Sequence, residues 1–108
     1  MPHYLIQAAY TAEAWAAQVK KPQNRIDVIR PVVEKLGGTI EGGWLAFGDY
    51  DIVLIVEMPD NVSAAAFSLA GAAGGAIKSL KTTPLLSPTE GIAAMKLAGK
   101  AGYKPPGR

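Results

Sequence analysis

The densest run of reactive side chains is Gly48-Asp49-Tyr50-Asp51, in which two carboxylates flank a phenol. Such a turn can offer a ligand a hydroxyl donor beside a carboxylate base. The same residues also build turns for their own sake. Aspartate folds back onto backbone amides, and a tyrosine ring packs while its hydroxyl finds a partner. His3 is the single histidine, and histidine is the residue type that suits a proton-transfer or ligand-contact role at neutral pH. Its bland reading is a strand-end histidine satisfied by solvent or backbone, since no carboxylate lies beside it in sequence. Trp44 and Tyr4 are large aromatics that can wall a pocket or fill a core or subunit interface.

The absences narrow the chemistry. There is no cysteine, so disulfides, thiolate nucleophiles and cysteine-ligated metals are excluded. That usage fits a cytoplasmic setting. One histidine without cysteine gives no metal site, and neither metal nor cofactor is expected. The pairs Gly37-Gly38, Gly42-Gly43 and Gly74-Gly75 lack the spacing and lysine of a phosphate loop. Eleven basic and nine acidic residues leave a net charge of +2, and the basic residues are scattered rather than gathered into a nucleic-acid-binding patch. No stretch reads as a signal peptide or a membrane span.

The elements that position these residues follow from pattern. His3 to Tyr10 reads as a strand with Tyr4, Ile6, Ala8 and Tyr10 in one row and His3, Leu5, Gln7 and Ala9 in the other. Thr11 is an N-cap for a helix carrying Trp15 and Val19, with Glu13 in its first turn. Pro22 interrupts that helix or starts a second segment. Ile26, Ile29, Val33 and Leu36 then fall on one helical stripe. Pro31 sits inside the stripe and predicts a kink, and Gly37-Gly38 supplies a left-handed C-cap. Thr39 to Phe47 is a second strand, whose paired glycines signal a bulge or a close backbone approach. Asp51 to Met58 is a third, and its apolar run Ile52 to Val56 reads as a central strand covered on both faces. Asp60 or Asn61 caps a helix over 63–73 whose small side chains let it lie close to the sheet. Ala76 to Leu86 is a fourth strand, with Pro84 marking an edge or an end. Ser87-Pro88-Thr89-Glu90 starts a last helix through a capping box.

The order β-α-β-β-α-β is the ferredoxin-like, split βαβ arrangement: a four-stranded antiparallel sheet with its main helices on one face. One domain over 1–97 and a tail over 98–108 account for all 108 residues. The helices cover one side while the strands are apolar on both, so the open face calls for a second copy packed sheet to sheet.

Leu36-Gly37-Gly38, then Phe47-Gly48-Asp49-Tyr50-Asp51, then Ile52 to Asp60 together resemble the GYD-domain family, whose signature Gly48, Tyr50 and Asp51 match. The resemblance implies a dimeric α+β barrel with a cleft between sheet and helices in each subunit. That superfamily includes cofactor-free monooxygenases, isomerases and ligand-sensing domains, and the GYD family itself has no established reaction. The expectation is therefore a cytoplasmic homodimer that binds a small molecule near the Gly48–Asp51 turn, with His3, Gln7, Trp44, Tyr50 and Asp51 contributing. A cofactor-independent monooxygenase or isomerase using Tyr50 or His3, and a purely structural role, are the alternatives. Neither nucleic acid nor membrane is expected as a partner.

Overall fold

The computed structural model describes residues 1–107. The elements are β1 (His3–Tyr10), α1 (Ala12–Lys20), α2 (Arg25–Lys35), β2 (Thr39–Leu45), β3 (Ile52–Glu57), α3 (Asn61–Ala73), β4 (Ile77–Leu85) and α4 (Pro88–Gly99). The strands form one sheet in the order β2-β3-β1-β4, with every pairing antiparallel. This is the ferredoxin-like topology, with β1 and β3 central. Pro22 lies in the break that separates α1 from α2, and α2 continues through Pro31.

Local chemistry sets the helix ends. Thr11 Oγ1 accepts the Ala14 amide at 3.1 Å, and Asp60 Oδ1 accepts the Ser63 amide at 2.8 Å. Each satisfies a first-turn N–H that the helix leaves unpaired. At α4 the capping box is reciprocal: the Ser87 amide donates to Glu90 Oε1 at 2.9 Å, and the Glu90 amide donates to Ser87 Oγ at 3.1 Å. Helix α2 ends in a Schellman motif. Gly37 N–H donates to Glu34 O and Gly38 N–H to Val33 O, both at 3.0 Å, with Gly37 at φ +88°. Gly38 has no room for a side chain, because a Cβ there would fall 2.5 Å from the Glu57 carbonyl and onto the Met58 sulfur. This close approach ties the end of α2 to the sheet.

The core lies on one face. Tyr4, Ile6, Ala8 and Tyr10 of β1 and Ile52, Leu54 and Val56 of β3 pack against Val33 of α2 and Ala64 of α3. The alternate residues, His3, Leu5 and Gln7 of β1 and Val53, Ile55 and Glu57 of β3, are half-buried on the opposite face. The glycine pair in β2 does mark a bulge: the register with β3 shifts between Ile40 and Gly42, which leaves Glu41 as the extra residue. Pro84 sits on the edge strand β4, where a missing N–H costs no ladder bond.

Helix α4 departs from the body. It has no buried residue, and Ile92, Met95 and Leu97 are exposed. The described chain measures 58 × 34 × 22 Å with a radius of gyration of 17.3 Å, against about 13 Å for a compact chain of this size. An isolated helix of this length is marginal in water.

Candidate functional site

The Gly48–Asp51 turn is held by Asp51. Its Oδ2 accepts the Tyr10 amide at 2.9 Å and the Trp15 indole N–H at 3.1 Å. Its backbone N–H donates to the Ala8 carbonyl at 2.8 Å, and its carbonyl accepts the Ala46 amide at 2.8 Å. One residue thus joins the hairpin to the end of β1 and to α1. The Tyr10 and Trp15 rings meet edge to face, with centroids 5.4 Å apart. Tyr50 is half-buried, and its hydroxyl makes no hydrogen bond among the described residues. Gly48 has φ +145°, a conformation other residues rarely adopt.

Three of the residues singled out from sequence, His3, Gln7 and Trp44, lie on the open face of the sheet. Trp44 stands beside Val53, and its ring covers Gly42, where a Cβ would come within 2.6 Å of it. His3 is not alone. Register places Glu57 opposite it, and the bulge delivers Glu41 to the same face. His3 Nε2–H donates to Glu41 Oε1 at 2.9 Å, and Glu57 Oε2 lies 3.5 Å from that nitrogen. The histidine bond, supported by Glu57, holds the Glu41 carboxyl below the usual carboxylate range. One candidate ligand atom from each of the three residues lies within 4.8 Å of the others, a set that can share a proton or a cation. Sequence spacing hid this cluster, because its members come from three strands.

The sheet's other face carries the cleft. Between the sheet, α2, α3 and β4 lies a space of about 320 Å³, floored by Ile6, Ala8, Ile52 and Leu54 and walled by Ile29, Val32, Phe67 and Leu80. The small residues of α3 have two effects. Near its start they bring the helix onto the sheet: Ala64 is buried, and Ser68 Oγ bonds Thr82 Oγ1 at 2.7 Å. Near its end, Ala70, Gly71 and Gly74 leave the cleft open, and a Cβ on Gly71 would meet nothing within 4 Å. The expectation that α3 lies close to the sheet therefore holds only for its first half.

Polar groups gather at one end of the cleft. Tyr10 and Arg25 line both it and an adjoining groove of about 330 Å³, which also carries Gln18, Lys21 and Gln23. Burial pushes the Tyr10 phenol above its ordinary pKa; the Arg25 guanidinium opposes that rise and the Asp51 carboxylate adds to it. The phenol is therefore a neutral hydrogen-bond donor at neutral pH. Among the described residues no carboxylate lies within ion-pair distance of Arg25. None of the five residues proposed from sequence lines the cleft, although Asp51 positions its Tyr10 wall. The available signals were Tyr10 at the end of the core-facing row and a basic residue opening the second helix.

The fold is thus a split βαβ, α+β sheet with an apolar cleft on its helical side. The GYD domain model matches residues 4–95, and the chain belongs to the GYD family. No curated protein matches. Among solved structures, the chain is similar to that described as FFRP-DM1, at 14% identity over 80% of this chain and 100% of that one, with a TM-score of 0.49. It is also similar to the hypothetical protein PHS023 from Pyrococcus horikoshii, at 18% identity over 81% and 92% of the two chains, with a TM-score of 0.49.

Proposed function

We propose that this chain is a homodimeric small-molecule-binding protein of the cytoplasm, with one site per subunit in the cleft between sheet and helices. The supporting observation is the cleft itself: about 320 Å³ of mostly apolar space, at the small end of the range for ligand sites. Its polar groups are concentrated at one end, the arrangement that orients a ligand. Among the described residues no helix is long and apolar enough to cross a membrane.

The dimer reading rests on the open face. Leu5, Val53, Ile55 and Trp44 form an apolar strip there, and soluble monomers seldom leave such strips uncovered. A second sheet packed on it covers the strip, and exposed α4 supplies an arm that reaches over the partner. His3, Gln7 and Trp44 then belong to the subunit interface rather than to the ligand site. Catalysis fits the cleft less well. Tyr10 is the one phenol lining it, and a phenol whose pKa is raised stays protonated at neutral pH, so it is not available as a base.

Native mass spectrometry of the protein as purified tests the reading. The expected result is a dimer carrying excess mass that leaves on denaturation, with Gly71→Leu giving a dimer without it. A monomer, or excess mass unaffected by Gly71→Leu, contradicts it.

A further inference from the structure

We propose that the ligand of this cleft is an amphipathic carboxylate, with its apolar body between the sheet and α2/α3 and its anionic end held by Arg25 and the Tyr10 hydroxyl. The inference rests on the cleft being the binding site, and adds the chemistry of what it takes.

The argument is one of matched polarity. The deep part of the cleft offers aliphatic side chains and Phe67. The half-buried Ser68 hydroxyl that lines it is already bonded to Thr82 Oγ1 and also donates to the Ala64 carbonyl at 3.2 Å. A ligand body gains little there from polar groups and gains from every apolar atom it buries. The mouth is the reverse. Arg25 is half-buried beside the Tyr10 hydroxyl and without a carboxylate partner among the described residues, and a partly desolvated guanidinium is a costly charge to leave without a counter-charge. It is also the first residue of α2, where the positive end of the helix adds to the field. Lys21 stands in the adjoining groove as a second cation. The Asp51 carboxylate is already committed to two N–H donors. A guanidinium fork beside a neutral phenol presents converging donors and no acceptor of comparable strength, which suits a carboxylate. A ligand amine would face two cations.

Isothermal titration of the full chain at pH 7 with octanoate, octan-1-ol and octylamine tests this. Octanoate should bind at least tenfold more tightly than octan-1-ol, with octylamine weakest. Arg25→Met should erase the preference, and Arg25→Lys should keep most of it. Gly71→Leu, which fills the cleft from a helical position with open space, should abolish binding while circular dichroism reports a folded chain. Equal binding of octanoate and octan-1-ol, both lost in Gly71→Leu, overturns the carboxylate assignment and leaves the cleft reading standing. Binding that survives Gly71→Leu, or no binding of any of the three, overturns both.

Discussion

The two faces of strand β3 carry similar apolar residues in different settings. Ile52, Leu54 and Val56 point toward the helices and are buried. Val53 and Ile55, one residue along in each case, point the other way and are half-buried. The helical face is sealed by α2 and the start of α3, and the cleft remains only where Ala70, Gly71 and Gly74 withhold side chains. The open face sets Leu5, Val53, Ile55 and Trp44 beside the polar His3, Gln7 and Glu57, and those of β1 and β3 are half-buried rather than buried. A buried face with a deliberate gap is suited to a small molecule, and an uncovered apolar face of a sheet is suited to another sheet. Sheet proteins separate such tasks easily, because alternation sends neighbouring residues to opposite sides.

Substitutions sharpen that contrast. The largest effect belongs to the helical face: Leu54→Ala leaves a cavity under the cleft floor and should cost about 2–5 kcal/mol in urea unfolding. Next comes Asp51→Ala, which strands the Tyr10 amide and the Trp15 indole N–H. Its cost should be about 1.5–3 kcal/mol, accompanied by a change in Trp15 fluorescence. Ile55→Lys, on the open face, should hardly alter unfolding of the isolated subunit but should convert dimer to monomer in sedimentation velocity. If Ile55→Lys unfolds the subunit as severely as Leu54→Ala, the two faces are not distinct. Tyr50→Phe should stay within about 0.5 kcal/mol of the parent, since its hydroxyl has no partner among the described residues, and should leave octanoate binding unchanged.

The smallest effect is pH-dependent. The folded Glu41 carboxyl titrates below its ordinary value of 4.5, so its contribution is present above that value. It is lost as pH falls through the lower folded pKa. Glu41→Gln should flatten the acid side of the melting-temperature profile relative to the parent. A profile identical to the parent would mean that the His3 cluster contributes nothing to folding.

What the sequence made legible was mostly local. Thr11, Asp60, Gly37 and the Ser87–Glu90 box act over three or four residues, and each caps the helix end that its side chain or backbone implies. The topology was legible from alternation and from where Gly and Pro fall. The site was not, for three reasons. Asp51 meets Trp15 across 36 positions, and from sequence alone its carboxylate is as available to a ligand as to an indole. The bulge that turns Glu41 toward His3 depends on strand register, which the pair Gly42-Gly43 announces without specifying. The cleft is defined by missing volume at Gly71 and Gly74, and a run of small residues reads equally as close packing or as a gap.

The most direct test of the division between faces is an amide-shift titration of the isotopically labelled full chain with octanoate. The expected result is that the shifts concentrate at Tyr10, Arg25, Ile29, Phe67 and Gly71, while Leu5, Val53 and Ile55 stay still. Shifts centred on Leu5, Val53 and Ile55 instead would place the ligand on the open face and contradict the account.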